Sequence, residues 1–143
     1  MNDNIIPPAT VVSAASKGPQ NLPELLAPVG NFETFMAAID AGADAVYLGL
    51  KRFSARARAE NFTLADLQLM LLFAHSRGVK LYVALNTLIR NDELDEIYQT
   101  LNELSRIGVD AVIVQDLGLV NILRSDFPEL SVHLSTQLAI HNA

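Results

Sequence analysis

From residue 23 onward, short apolar runs alternate with longer segments in which apolar residues recur every three or four positions. The short runs predict buried strands, and the longer segments predict helices with one apolar face. Residues 1–22 contain three prolines and no such periodicity, so we predict a flexible tail there and an ordered domain over 23–143. The predicted strands are 24–27, 45–49, 80–85, 111–114 and 131–134. The predicted helices follow Asn31, Thr63 and Asp92 as caps, and a shorter one starts at Leu117.

An internal repeat supports this division of the chain. GADAV at 42–46 and GVDAV at 108–112 match at four of five positions, and GVKLYV at 78–83 is a looser copy. In each copy a glycine ends a helix and a strand follows at once. The strands are apolar on both faces, as parallel strands covered by helices are.

The alternation predicts an α/β fold, either a doubly wound sheet or a (β/α) barrel. No GxGxxG follows the first strand, so a doubly wound sheet of the dinucleotide-binding type is less favoured. A complete barrel needs about 250 residues, and this chain of 143 supplies about four βα units plus a fifth strand. We therefore expect half of a TIM-type barrel with parallel strands. Its two open sheet edges favour self-association or pairing with a partner chain.

The composition of the chain limits the kinds of functional site that it can contain. Half of the residues are hydrophobic and the net charge is −6, which argues against a broad nucleic-acid-coating surface but leaves room for a local basic site. The absence of cysteine excludes disulfides, thiolate metal sites and iron–sulfur ligation within these residues. The three histidines show no metal-ligand spacing, so we expect no metal site. No apolar run approaches the ~20 residues of a membrane span, and no secretion signal is visible. We expect a cytoplasmic protein.

Polar side chains follow the predicted strands at their carboxyl ends, where α/β folds bind ligands. An alternative role exists for each of them, because polar residues also cap helices and arginines also pair with surface acids. A serine nucleophile assisted by His133 fails on geometry, since residues two apart on a strand lie about 6–7 Å apart. The candidate positions are Gly49 with the basic loop Lys51, Arg52, Arg56 and Arg58, then Asn86 and Thr87, then Gln115 and Asp116, then Ser135, Thr136 and Gln137.

Five blocks of the sequence resemble successive segments of the collagenase-like peptidase family U32. They are ELLAPVGN, GADAVYLGLKRFSARARAENF, LYVALNTL, GVDAVIVQDLG and HLSTQ, and the resemblance runs from Glu24 to about Asn142. It implies a TIM-like barrel and either peptidase activity or hydroxylation of RNA bases or the ubiquinone ring. Several members of the family hold an iron–sulfur cluster on cysteines downstream of these blocks. The resemblance therefore implies no cofactor in this chain, and a cluster only in a longer protein.

The leading hypothesis is the amino-terminal half-barrel of a U32 protein that acts on RNA, a quinone or a peptide. Arg56 and Arg58 would then hold an anionic group, and Asn86, Gln115 and Gln137 would orient the substrate. We assign no general base; Asp116 is the best of several weak candidates, and we do not expect the 143 residues alone to be catalytically complete. The alternative is a non-catalytic half-barrel that pairs with itself or with another chain.

Overall fold

The computed structural model describes residues 22–55 and 62–140, and strands and helices alternate through them. The tail predicted over 1–22 therefore lies outside the described residues, except for Leu22. None of the helices in the described ranges is long and apolar enough to cross a membrane. The elements are β1 Leu26–Pro28, α1 Phe32–Asp40, β2 Ala45–Gly49, α2 Leu64–Ser76, β3 Lys80–Leu85, α3 Leu94–Ile107, β4 Ala111–Val114, α4 Leu117–Asp126 and β5 Ser131–Leu134, with 3₁₀ turns at Asn91–Glu93 and Thr136–Leu138.

The five strands form one parallel sheet in the order β1-β2-β3-β4-β5. A doubly wound sheet reverses its strand order at a switch point, and this sheet does not. The sequential order decides between the two architectures that the sequence left open, in favour of a barrel. Within the described residues the sheet stays open, with β1 and β5 as its edges, so the prediction of a partial barrel with parallel strands is confirmed.

The two faces of the sheet are packed differently. On the outer face, strand residues such as Leu48, Leu81 and Val112 pack into one large core with Phe35 of α1 and Leu101 of α3. On the inner face the buried cluster contains strand residues alone among those described: Ala45, Tyr82 and Ala111, with Tyr47 and Ile113 packed against them. Helices therefore cover one face, as in a barrel wall.

The repeat in the sequence corresponds to a repeated clamp between neighbouring strands. The glycine that opens each GxDAV copy has a positive φ, 87° in the first and 83° in the second. Two residues later, the Asp44 carboxylate accepts the N–H of Leu25 at 2.9 Å. The Asp110 carboxylate likewise accepts the N–H of Leu81 at 2.7 Å. Each aspartate thus joins the start of its own strand to the strand before it.

Two local predictions were wrong. β1 begins at Leu26 and includes Pro28, which a sheet tolerates because β1 is an edge strand and needs no donor on its free side. Asp92 does not cap α3, because a 3₁₀ turn precedes that helix. The Asp92 carboxylate instead accepts the Nε–H of Arg90 at 2.9 Å.

Candidate functional site

The polar residues predicted at the strand ends lie in one row along the carboxyl edge of the sheet, which we call the rim. Leu85 pairs with Val114, and Val114 pairs with Leu134. The residues that follow these three positions are Asn86, Gln115 and Ser135. Neighbouring strands lie about 4.8 Å apart, so adjacent members of the row are close enough to contact one ligand. Gly49 ends β2 on the same edge, where it is buried and pairs with Ala84.

The basic loop after β2 is described only in part, because Arg56 and Arg58 lie outside the described residues. The Arg52 guanidinium forms ion pairs with Glu96 of α3 at 2.7 Å and with Glu93, just before α3, at 3.4 Å. Phe53 is buried with φ +63°, a conformation that a bulky residue adopts only when its surroundings impose it. Arg52 is therefore paired with Glu93 and Glu96, and both Arg52 and Lys51 are exposed.

Asn86 uses its side-chain oxygen to hold the basic loop. Its Oδ1 accepts the backbone N–H of Ala55 at 3.0 Å. Ala55 is the last described residue before Arg56, so this hydrogen bond anchors the described end of the loop. The two N–H donors of Asn86 make no hydrogen bond to the described residues.

Asp116 caps α4 and also bridges two rim loops. One carboxylate oxygen accepts the N–H of Leu119 in the first turn of α4, and the other accepts the N–H of Ile89 in the loop after β3, each at 3.0 Å. Burial raises the pKa of this carboxyl group, but hydrogen bonds from the N–H groups of Ile89, Leu119 and Gly118 outweigh burial and leave the pKa below its usual value. A carboxylate held in this way is a weak proton acceptor.

Ser135 is also engaged by its own loop. It is 8% exposed, and its hydroxyl both accepts the N–H of Gln137 and donates to the Gln137 side-chain oxygen, each at 3.3 Å. It thereby caps the 3₁₀ turn Thr136–Leu138. Thr136 and Gln137 are exposed at the rim.

Three rim side chains, those of Thr87, Gln115 and Thr136, make no hydrogen bond to any residue within 22–55 or 62–140. Within the described residues, the predicted row thus divides into residues that hold the rim together, namely Asn86, Asp116, Ser135 and Gln137, and residues whose side chains make no such hydrogen bond.

Sequence reasoning missed a polar cluster at the opposite, amino end of the inner face. Glu24 accepts hydrogen bonds from the Lys80 ammonium at 2.8 Å and the Tyr82 hydroxyl at 2.7 Å. The His133 ring packs edge-on against Tyr82, with centroids 4.7 Å apart. The one signal for it was Lys80, which stands where the other two repeat copies have aspartate. The cluster ties the segment before β1 to β3, which indicates a structural role.

The pKa values of the cluster follow from these contacts. Hydrogen bonds from Lys80 and then Tyr82 hold the pKa of Glu24 below its usual value. Burial, reinforced by the Glu24 carboxylate, raises the pKa of Tyr82 to about 12.

The described residues do not form a metal centre. No group of three His, Asp or Glu side chains in 22–55 and 62–140 is arranged to hold an ion. An iron–sulfur cluster also does not fit this chain, because clusters are held by cysteine thiolates and the sequence has no cysteine.

Several curated proteins are similar to this chain over most of its length. The tRNA hydroxylation protein P of Escherichia coli is 41% identical over 115 residues, covering 80% of this chain and 25% of that protein. The 23S rRNA 5-hydroxycytidine synthase of the same organism is 44% identical over 117 residues, covering 82% and 17%. A collagenase of Porphyromonas gingivalis is 38% identical over 121 residues, covering 84% and 29%. The chain therefore spans about a quarter of the length of the curated relatives it matches.

A solved structure and a family model agree with these similarities. The structure of a U32 peptidase matches with a TM-score of 0.65 at 15% identity, over 92% of this chain and 56% of that one. At that identity the match concerns the fold, and it agrees with the open parallel barrel wall described above. The model of peptidase family U32 matches residues 30–143. The chain therefore belongs to peptidase family U32.

Proposed function

We propose that this chain is the amino-terminal half of a U32 barrel whose complete form modifies RNA, and that its rim binds the RNA substrate. The observation that carries the proposal is a row of side chains at the carboxyl edge that make no hydrogen bond to a described residue, namely Thr87, Gln115 and Thr136. Two relatives with 41% and 44% identity are named for hydroxylation of tRNA and of rRNA, which favours RNA as the ligand class.

The side chains of the rim suit a flipped or single-stranded nucleotide. A glutamine amide can pair with a base edge, and threonine hydroxyls can bond to a 2′-hydroxyl or a phosphate. The bidentate guanidinium groups of Arg56 and Arg58 suit phosphate oxygens. This assignment of the two arginines rests on the sequence and on the anchored position of Ala55.

Binding of a fluorescein-labelled tRNA transcript to the purified chain tests the proposal. The Arg56→Ala/Arg58→Ala double variant should bind at least about tenfold more weakly, because each charged hydrogen bond is worth about 1.5–3 kcal/mol. The slope of log affinity against log salt should fall by about 1 to 2. Gln115→Ala should weaken binding without changing this slope.

Arg124→Ala is the charge-matched control. Arg124 is exposed in the last turn of α4, at the end of the helix away from the rim, and its loss should leave the affinity unchanged. Equal binding by the wild type and the double arginine variant would contradict the proposal. Tighter binding of a denatured collagen peptide than of tRNA would favour the activity for which the Porphyromonas relative is named.

A second candidate function is assembly through the open sheet. In the described residues β5 pairs with β4 alone, and Leu134 on this edge strand is 48% exposed. An unpaired strand edge with an apolar side chain is a template for another strand. Light scattering after size-exclusion chromatography should then give twice the mass of one chain, 2 × 15.6 kDa. A stable monomer at tens of micromolar would rule this out.

A further inference from the structure

The loop that follows β3 is fastened to its neighbours on both sides. At its start, Asn86 accepts the N–H of Ala55 from the loop after β2. Three residues later, Ile89 donates its N–H to Asp116 from the loop after β4. Thr87 lies between these two anchors and has no side-chain hydrogen bond to a described residue. The position of Thr87 in the rim therefore depends on both anchors.

Asp116 divides its two tasks between its two oxygens. Oδ1 accepts the N–H of Leu119 and caps α4, whereas Oδ2 accepts the N–H of Ile89. Gly118 leaves space for this arrangement, because a Cβ at that position would lie 3.0 Å from Oδ1. The carboxylate is thus held against backbone groups on both sides and directed toward the protein's own loops.

We propose that Asp116 is a positioning residue whose Oδ2 holds the loop after β3, so that Thr87 stays in the rim to bind the substrate. This role rests on the proposed function, and it replaces the general-base role that the sequence suggested for Asp116. A positioning role predicts that loss of the Oδ2 contact weakens substrate binding through Thr87 alone.

Asp116→Asn separates the two tasks of this side chain. Asparagine caps helices as well as aspartate does, but its single carbonyl oxygen can accept the N–H of Leu119 or that of Ile89 and not both. When this oxygen caps α4, the amide group faces Ile89 and cannot accept its N–H. Asp116→Ser is a second variant that caps the helix but has only one oxygen. Both should keep the helical circular dichroism of the wild type, which shows that the fold is intact.

The binding experiment is a double-mutant cycle with Thr87→Val, which removes the hydroxyl and keeps the shape. Asp116→Asn should weaken binding of the labelled tRNA by about 2- to 10-fold, the range expected for one neutral hydrogen bond. In the Thr87→Val background the same substitution should cause no further loss, because the two residues act through one contact. Amide hydrogen exchange at Ile89 should accelerate in Asp116→Asn and Asp116→Ser and stay unchanged in Thr87→Val.

Two results would overturn this role. Wild-type affinity in Asp116→Asn would show that the anchor does not matter for binding. An equal loss in both backgrounds would show that Asp116 acts on the RNA independently of Thr87. Failure of the proposed function has a different signature, since the wild type would then bind tRNA no better than the double arginine variant. In that case the role of Asp116 in substrate binding is refuted together with the proposed function. The hydrogen-exchange rate of the Ile89 amide still shows whether Asp116 holds the loop.

Discussion

The Tyr82 hydroxyl joins β3 to the segment before β1, and its removal by Tyr82→Phe should destabilise the fold measurably. The residue is 3% exposed, and its hydroxyl donates to Glu24 at 2.7 Å. A hydrogen bond to a charged group contributes about 1.5–3 kcal/mol. Because the Glu24 side chain is 34% exposed, we expect the lower part of this range, about 1.5–2 kcal/mol at neutral pH.

Alkaline pH should remove this difference, because the pKa of Tyr82 is about 12 in the folded protein and 10.0 is its ordinary value. A raised folded pKa gives stability that is complete below pH 10 and is lost as the pH rises toward 12. At pH 11 the unfolded tyrosine is mostly ionised and the folded one mostly neutral, which costs the wild type about 1.4 kcal/mol. Phenylalanine cannot ionise, so the variant does not lose stability in this way.

Urea unfolding followed by circular dichroism at pH 7.5 and pH 11 measures both effects. Tyr98→Phe is the matched control, since the Tyr98 hydroxyl donates to Asp126 at 2.6 Å in a more exposed setting. Its loss should cost less than about 1 kcal/mol. The reasoning is refuted if Tyr82→Phe lies within about 0.5 kcal/mol of the wild type at pH 7.5, or if the difference between them does not shrink at pH 11.

Two further substitutions test the core and the repeated clamp by the same unfolding assay. Leu67→Ala should cost about 2–5 kcal/mol because Leu67 is fully buried, whereas Leu69→Ala on the exposed face of α2 should cost less than about 1 kcal/mol; equal losses would contradict the assignment of helix faces. Asp110→Ala should cost about 1–3 kcal/mol because it leaves the Leu81 N–H without its acceptor, and a loss no larger than that of Glu103→Ala, which breaks an exposed ion pair, would contradict the clamp.

The strands and helices were predictable because their signals are local. The glycine that ends a helix, the apolar run after it and caps such as Asn31 and Thr63 all lie within a few residues of one another. The rim was predictable for the same reason, since parallel strands bring their carboxyl ends to one edge. Where a second local option existed, as for Asp92 and Pro28, the sequence pattern alone did not distinguish the two.

Strand order and the tasks of individual rim residues were decided by the tertiary structure. The doubly wound and barrel alternatives share one local pattern and differ only in which strands become neighbours. The hydrogen-bond partner of Asn86 lies 31 residues away in the sequence. The corresponding separation is 27 residues for Asp116 and Ile89, and 58 residues for Tyr82 and Glu24. The sequence by itself placed Asn86, Gln115 and Ser135 at the carboxyl edge of the sheet. Only the tertiary structure determined which of these side chains form hydrogen bonds that hold the rim together. A hydrogen bond between distant segments depends on distances that no local pattern specifies.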